Sequence, residues 1–215
     1  MSRYRAAIFD LDGVLADSAG AHFAAWKRIA DILSIPFEEE DNEALKGVDR
    51  MGSLRHILAL GGLTLAEEEM LALATLKNGF YLDAVAQMTP ADILPGAAEL
   101  VARVKALGMK TGVASASRNA PLLLERIGIV RAFDFIADAG AAASKPAPDI
   151  FLACSTALGV APAECLGFED AAAGIEAILA AGMTAIGIGD PVVLGRAAMV
   201  FPDTASVDLD RILAA

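Results

Sequence analysis

The sequence predicts an α/β protein in which helices cover both faces of a parallel sheet and a helical domain is inserted into the chain. From Leu94 onward, helical stretches alternate with short apolar runs, the pattern of consecutive βαβ units. Between about residues 18 and 88 the hydrophobic periodicity is helical only. A chain of 215 residues can bury a core and carry such an insert. We therefore assign residues 1–15 and 93–215 to the core and 16–92 to a helical cap domain.

The first predicted strand, residues 6–10, ends in the run Ile8-Phe9-Asp10-Leu11-Asp12-Gly13-Val14. Because side chains alternate along a strand, an extended path would place Asp10 and Asp12 on one side, facing one substrate or ion. Like charges this close are costly unless a cation relieves the repulsion or one carboxyl group is protonated. The alternative is an aspartate-rich turn without chemistry, since Asp-x-Asp-Gly is common in turns.

The inserted segment is predicted to be a small helical bundle. Its apolar faces comprise Phe23, Trp26, Ala30 and Leu33, and Leu54, Ile57 and Leu58. Thr64 followed by Glu67 predicts a capping box that opens a long helix. Residues 89–96 return the chain to the core. An insertion at the carboxyl end of the first strand would stand over the two aspartates as a lid that excludes water.

Three helix–strand pairs follow in the core. They are predicted at residues 97–107 and 109–114, 149–158 and 165–168, and 171–181 and 183–188. A glycine follows each helix at the C-cap position: Gly108, Gly159 and Gly182. The carboxyl ends of parallel strands meet at one edge of a sheet, so the chemistry is expected there.

Two loops of the core carry polar residues with two interpretations each. Ser115, Ser117 and Asn119 follow a buried strand and precede a helix, where hydroxyls and backbone amides can bind an anion. Alternatively, Ser117 or Asn119 only caps that helix. Lys145 lies in Ser144-Lys145-Pro146-Ala147-Pro148, where two prolines stiffen the loop and could hold the ammonium against a phosphoryl group or carboxylate. A solvated loop lysine is the alternative.

A second carboxylate pair, Glu169 and Asp170, ends the strand that contains Gly167 and Phe168. In a doubly wound sheet this pair converges on the first two aspartates and forms the oxygen-rich site that magnesium prefers. Asp170 could also cap the helix that follows. Four such segments in this order, each at a strand's carboxyl end, indicate an active site more strongly than any one of them.

Composition narrows the classes of partner. A net charge of −11 and a pI near 4.6 exclude a basic footprint for nucleic acid or an anionic membrane. Mean hydropathy is +0.53, but the most apolar segment, residues 171–189, contains Glu176 and four glycines and is not predicted to span a membrane. No secretory signal is expected before the first strand, so we predict a cytoplasmic protein. Cys154 and Cys165 are predicted to be buried reduced thiols.

The segments DLDGVLADS, SAS, SKPAPD and GFED resemble, in this order and along essentially the whole chain, the four motifs of the haloacid dehalogenase superfamily of phosphotransferases. The resemblance implies a Rossmann-like core in which Asp10 becomes an aspartyl phosphate and Asp12 is the general acid/base. It implies that Ser115 and Lys145 bind the phosphoryl group. Magnesium would be held by Asp10, the backbone carbonyl of Asp12, and Asp170, with Glu169 close by.

Within that superfamily, AHFAAW, LKGVDR, SASRNAP, LLERIGI and AASKPAPDIF resemble the β-phosphoglucomutase family, which interconverts β-glucose 1-phosphate and glucose 6-phosphate through β-glucose 1,6-bisphosphate. The resemblance implies that Arg50 grips the phosphate distant from Asp10, and that His22 and Lys77 couple cap closure to the placing of Asp12. The other implied substrate contacts are Trp26, Lys46, Gly47, Val48, Ser53, Ala116, Ser117 and Asn119. For Trp26, a place in the cap core is the alternative.

The sequence thus predicts a magnesium-dependent phosphomutase that acts on a small sugar phosphate as a monomer, with glucose 1,6-bisphosphate as activator. A sugar-phosphate phosphatase with the same core is the alternative. A signalling receiver is a third hypothesis, because it is also a parallel-sheet module phosphorylated on aspartate. Receivers lack a helical insert after the first strand and place the acceptor later in the chain, and Asp12 favours turnover over storage.

Overall fold

The computed structural model describes residues 3–215, which form six strands and nine α-helices. The strands are β1 (Ala6–Phe9), β2 (Lys110–Val113), β3 (Phe135–Ile136), β4 (Cys165–Glu169), β5 (Thr184–Ile188) and β6 (Met199–Phe201). The helices are α1 (Ala19–Ile32), α2 (Glu39–Glu43), α3 (Arg50–Leu60), α4 (Glu67–Val85), α5 (Ala97–Ala106), α6 (Ala120–Arg126), α7 (Asp149–Leu158), α8 (Ala172–Ala180) and α9 (Leu209–Ala214). The strands form one parallel sheet in the order β3-β2-β1-β4-β5-β6.

Helices cover both faces of this sheet, as the sequence predicts. Ala7 and Phe9 of β1 pack in one hydrophobic cluster with α5, α6 and α9. The alternate residues, Ala6 and Ile8, pack in a second cluster with α7 and α8. All four side chains are fully buried, which explains why the strand reads as a continuous apolar run. The predicted α/β architecture with a parallel sheet is confirmed.

The predicted core elements are present, and their ends differ from the prediction by no more than one residue. Gly108, Gly159 and Gly182 follow their helices with φ of 75°, 63° and 76°, the left-handed conformation that ends a helix. The two outer strands, β3 and β6, were not predicted. They contain only two and three residues, of which Phe201 alone is buried, so their apolar runs are too short to mark a strand.

Helices α1 to α4 form the inserted domain around their own hydrophobic cluster. Its buried residues are Trp26, Ile29, Ala30, Ile35, Phe37, Leu45, Leu54, Ile57, Leu58 and Ala74. The predicted capping box of Thr64 and Glu67 is wrong. The α4 helix begins at Glu67, and the N–H of its N-cap residue, Ala66, donates to the Glu69 carboxylate at 2.8 Å. A glutamate two residues further along therefore does the capping.

The chain passes into and out of the cap at adjacent points. Ala16 forms an antiparallel bridge with Ile93, and the Asp17 N–H donates to the Asp92 carbonyl at 2.9 Å. The predicted domain boundaries, between residues 15 and 16 and between 92 and 93, fall at this crossing and stay predictions. Residues 1 and 2 of the predicted core range lie outside the described residues.

None of the helices within residues 3–215 has the length and apolar character needed to cross a membrane.

Candidate active site

The carboxyl ends of β1, β2 and β4 meet beneath the cap, and a cavity of about 330 Å³ lies between cap and core. Asp10 directly follows β1, and its N–H donates to the Phe168 carbonyl of β4 at 2.9 Å. On the other side of β1, the Ala114 N–H donates to the Phe9 carbonyl at 2.8 Å. These bonds extend the sheet beyond the ends of the strands. They hold the predicted polar loops at one edge, as the parallel topology requires.

A cluster of three carboxylates, Asp10, Glu169 and Asp170, forms the floor of the site, with one oxygen of each within 4.8 Å of the others. Lys145 Nζ donates to Asp10 Oδ1 at 2.6 Å and to Glu169 Oε2 at 2.7 Å. Its side chain is 1% exposed, so the interpretation as a solvated loop lysine is wrong. Asp170 does not cap the following helix, because the N-cap residue of α8 is Ala171 and no side chain makes a capping bond there. The Ala171 N–H donates instead to Glu169 Oε1 at 3.1 Å.

Burial raises the pKa of all three carboxyl groups. Lys145 opposes that rise at Asp10 and Glu169, but both pKa values stay above their ordinary range. The pKa of Asp170 rises to about 7, through burial and then through repulsion by Asp10. Burial alone would lower the pKa of Lys145, yet Asp10 and Glu169 raise it above its ordinary value, so the ammonium stays charged. Three crowded carboxyl groups that resist ionisation favour binding of a further cation.

Two glycines make room for this cluster. A Cβ at Gly13 would lie 2.3 Å from Asp170 Oδ2, and Gly13 has φ +82°. A Cβ at Gly174 would lie 2.0 Å from the carboxyl carbon of Glu169. The carboxylates therefore occupy space that any side chain at these positions would fill. An all-oxygen donor set in such a cradle fits a divalent metal ion. The predicted ligand role of the Asp12 backbone carbonyl stays a prediction.

Asp12 lies beside the cluster and lines the same cavity as Asp10. Ser18 Oγ donates to Asp12 Oδ1 at 2.5 Å, and Ser115 Oγ donates to Oδ2 at 3.4 Å. His22 Nε2 lies 3.4 Å from Oδ1. Burial alone would raise the pKa of Asp12, but His22 and the Ser18 hydroxyl hold it at about 2. Asp12 is therefore an ionised carboxylate at neutral pH.

A chain of contacts connects Asp12 to the cap helix α4. Lys77 Nζ lies 3.0 Å from His22 Nδ1, while His22 Nε2 faces Asp12. Lys77 is 3% exposed and lies over the rings of Trp26 and Tyr81, at 4.7 and 4.9 Å from their centroids. Burial lowers the pKa of Lys77 to about 7, and burial followed by Lys77 lowers the pKa of His22. Of these two cap side chains, His22 thus contacts the predicted general acid/base and Lys77 contacts His22.

The loop after β2 is folded back by its own hydroxyls. Ser115 Oγ accepts the Ser117 N–H at 3.0 Å, and Ser117 Oγ accepts the Asn119 N–H at 3.2 Å. Asn119 is the N-cap residue of α6, but its side chain makes no capping bond. Its Nδ2 donates instead to Asn78 Oδ1 of the cap at 2.9 Å. The capping interpretation is therefore wrong for the Asn119 side chain.

Two guanidinium groups, those of Arg50 and Arg118, line the same cavity. Arg50 Nη2 donates to Asn78 Oδ1 at 2.6 Å. Burial and then repulsion by Arg118 lower the pKa of Arg50. Among the ion pairs formed by residues 3–215, none includes either arginine. In a protein of net charge −11, two neighbouring cations that pair with none of the described carboxylates leave their charge available to an anion.

The other predicted substrate contacts line the same cavity: Trp26, Lys46, Gly47, Val48, Ser53, Ala116 and Ser117. Trp26 is also 3% exposed within the cap cluster, so its two interpretations are compatible. Lys46 has protein partners. Its Nζ lies 2.9 Å from Glu43 and 3.6 Å from Asp170, so it joins the cap to the carboxylate cluster.

Three features of the site were missed by the sequence reasoning. Arg118 lies within the SASRN segment between two predicted residues, and that position was the available signal. Asn78 directly follows Lys77, but nothing in the periodicity distinguishes it from a surface amide. The third is a bond between cap and core, in which the Asp49 N–H donates to Ser144 Oγ at 3.0 Å. Bonds between residues distant in sequence leave no local pattern.

Fold and site together define an α/β enzyme with a helical cap, in which an aspartate after the first strand lies among carboxylates and a buried lysine. The chain belongs to the haloacid dehalogenase-like hydrolase family, which matches residues 4–182. It is 44% identical over 211 residues to a β-phosphoglucomutase of Bacillus subtilis, and the alignment covers 96% of this chain and 92% of that protein. It is 34% identical over 191 residues to a fructose-1-phosphate phosphatase of Escherichia coli, covering 86% and 97%.

Solved structures agree with this assignment. A crystal structure of β-phosphoglucomutase from Clostridium difficile superposes with a TM-score of 0.94 at 42% identity, covering 97% of this chain and 95% of that one. The sheet, the cap and their connection are thus shared along nearly the whole chain.

Proposed function

We propose that this protein is a β-phosphoglucomutase, which interconverts β-glucose 1-phosphate and glucose 6-phosphate through β-glucose 1,6-bisphosphate and a phosphorylated aspartate. The observation that carries the proposal is a cavity lined by two cationic groups with different partners. Lys145 donates to Asp10, whereas Arg50 donates to the Asn78 amide oxygen and lies near Arg118. A sugar that bears two phosphate groups matches this arrangement, and the 44% identical relative is a β-phosphoglucomutase.

Asp10 is the proposed nucleophile. One of its carboxylate oxygens bonds to phosphorus as the bond from phosphorus to the sugar oxygen breaks, and the phosphoryl group then returns to the other hydroxyl of the sugar. Lys145 donates to Asp10 Oδ1 at 2.6 Å and offsets the charge of the transferring group. Ser115, which follows β2 at the same edge, donates to the phosphoryl oxygens.

Asp12 is the proposed general acid/base. Its pKa of about 2 means that it begins the cycle ionised, so it first accepts the proton of the sugar hydroxyl that attacks the phosphorylated Asp10. It returns that proton to the sugar oxygen that leaves when Asp10 attacks the bisphosphate. Contacts with Ser18 and His22 keep the carboxylate aimed at the cavity.

Asp10, Asp170 and the backbone carbonyl of Asp12, with Glu169 close by, would hold magnesium. A bound magnesium ion would neutralise charge on the carboxylates and on the transferring phosphoryl group. The oxygen-only set, the raised pKa values and the two glycine cradles support this choice.

The cap supplies the preference for a sugar over water. Arg50 and Arg118 would bind the distant phosphate, which makes the sugar rather than the solvent the partner of the phosphorylated enzyme. A sugar hydroxyl held in the reactive orientation can reach an effective concentration of about 10⁵–10⁸ M. That exceeds the concentration of bulk water, so the bound hydroxyl can react in preference to water. The contacts of His22 and Lys77 extend this closure to Asp12.

A sugar-phosphate phosphatase is the second candidate, because a 34% identical relative is a fructose-1-phosphate phosphatase. The test uses purified protein with magnesium, β-glucose 1-phosphate and a trace of glucose 1,6-bisphosphate. Glucose 6-phosphate is measured through its dehydrogenase, and inorganic phosphate is measured in parallel. The mutase should form mainly glucose 6-phosphate and should use the α-anomer poorly. Phosphate release that outpaces glucose 6-phosphate formation would identify the phosphatase.

The expected cytoplasmic location and monomeric state belong to the same proposal. Cys154 and Cys165 are buried free thiols, which suits a reducing compartment.

A further inference from the structure

The side-chain oxygen of Asn78 connects the cap to the core beside Arg50. Arg50 Nη2 and Asn119 Nδ2 both donate to Asn78 Oδ1, at 2.6 and 2.9 Å. Arg50 and Asn78 belong to α3 and α4 of the cap, whereas Asn119 belongs to the core. A guanidinium group can only donate, so the Asn78 amide atom that faces Arg50 must be its oxygen. Asn78 does not line the cavity, so it can act on a ligand only through these neighbours.

The neutrality of this acceptor is part of the arrangement. A carboxylate at the same place would hold Arg50 equally well but would also neutralise it. No ion pair formed within residues 3–215 includes Arg50, although the protein has 28 acidic residues. Asn78 thus orients the guanidinium and leaves its charge available for an anion.

We propose that Asn78 is a positioning residue that aims Arg50 at the distal phosphate of the substrate and ties that aim to cap closure through Asn119. The inference rests on the proposed function. Consecutive residues of a helix point about 100° apart, and the preceding residue, Lys77, reaches His22 and hence Asp12. One turn of α4 is therefore connected to Arg50 through Asn78 and to the general acid/base through Lys77 and His22.

Asn78→Ala removes the acceptor without adding bulk. Mutase kcat/KM should fall by about 10–100-fold, the effect of losing a hydrogen bond to a charged group, mainly through a higher KM for glucose 1,6-bisphosphate. Hydrolysis of a small aryl phosphate should fall much less, because that ester has no second phosphate for Arg50 to bind. Gln87→Ala is the matched control, since Gln87 is an exposed amide just beyond the end of α4. It should leave both reactions at the wild-type rate.

Asn78→Asp separates orientation from charge. It keeps an acceptor for Arg50 and Asn119, so the protein should melt no lower than wild type. The new carboxylate should pair with Arg50 and raise the KM for the bisphosphate at least as much as the alanine variant does. This variant also keeps the test valid if Asn78→Ala is too unstable to assay.

Combining Asn78→Ala with Arg50→Ala completes the experiment. If Asn78 acts through Arg50, the double variant should lose no more mutase activity than Arg50→Ala alone. Losses that multiply, equal loss of mutase and aryl phosphatase activity, or a fully active Asn78→Asp would each overturn the inference. Wild-type protein that forms no glucose 6-phosphate would instead overturn the proposed function, so the two failures are distinguishable.

Discussion

Lys145→Met tests the electrostatic design of the site, because it removes the cation shared by Asp10 and Glu169 while keeping a side chain of similar length. Lys145 is 1% exposed and donates to both carboxylates within 2.7 Å. Removing one partner of a buried ion pair costs about 3–5 kcal/mol of unfolding free energy. For a domain of this size that corresponds to a fall in Tm of roughly 6–20 °C.

The loss should depend on pH in a defined direction. Burial raises the pKa of Asp10 and Glu169 in the folded protein, so the folded state binds protons more tightly than the unfolded state. Their contribution to stability is therefore full below their unfolded pKa, near 4, and is lost as the pH rises through the folded values. Lys145 lowers both folded pKa values, so its removal enlarges this loss and extends it to higher pH. The raised pKa of Lys145 keeps it charged throughout, since its own contribution is lost only in strong alkali.

The assay is thermal unfolding with a chelator present, at pH 4.5 and at pH 8. Lys145→Met should be strongly destabilised at pH 8 and less so at pH 4.5, where the raised pKa values leave a larger fraction of these carboxyl groups protonated. Lys27→Met is the control, because Lys27 also faces two carboxylates, Asp31 at 3.3 Å and Glu38 at 3.5 Å, but its side chain is 34% exposed, so the change should alter Tm little. An equal fall at both pH values, or none at pH 8, would refute this account of the buried cluster.

The other predictions concern turnover and space. Asp10→Asn should abolish turnover and the acid-stable, hydroxylamine-labile phosphoenzyme, and equal labelling of both proteins would exclude Asp10 as the nucleophile. Asp12→Ala should slow transfer by roughly 10²–10⁴-fold in a stopped-flow assay, and near wild-type turnover would contradict its role. Arg50→Ala should damage the mutase reaction more than aryl phosphate hydrolysis, whereas equal losses would show an effect on fold or closure. Gly174→Ala should lower Tm and weaken magnesium binding measured by calorimetry, because the new Cβ would clash with Glu169. Gly79→Ala has open space around it and should raise the unfolding free energy by about 1 kcal/mol. The opposite order of stabilities would contradict the idea that Gly174 makes room for the carboxylates.

The core could be predicted from sequence because its signals are local. The strand from Ala6 is buried on both faces and reads as one apolar run, and glycines at helix ends mark where each helix stops. The edge strand Phe135–Ile136 could not be predicted in this way, because two partly buried residues give no periodicity. Its place depends on pairing with a strand more than twenty residues earlier in the chain.

The residues of the site divide along the same line. Asp10 and Lys145 stand at a strand end and in a stiff loop, where the sequence pattern indicates possible chemistry but leaves a turn or a solvated lysine as the alternative. Asn78 lies mid-helix on a partly buried face, and its role depends on contacts with α3 and with the loop before α6. The Thr64 error has the same origin, since Glu67 and Glu69 could each accept the backbone N–H three residues earlier, and only the folded chain shows that Glu69 does so.

The contacts between cap and core explain how one closure event can assemble the whole site. Each contact lies at, or next in sequence to, a group with a proposed chemical role. They pair His22 with Asp12, Lys46 with Asp170, Asp49 with Ser144 beside Lys145, and Asn78 with Asn119. A cap that moved away would lose all four contacts, so Asp12 would lose its cap partner while the distal anion site lost its core wall. Water could still reach Asp10 in such an open state, but it would meet a general base that closure had not positioned. Coupling the contacts in this way favours transfer to a bound sugar over hydrolysis, without any group that repels water directly.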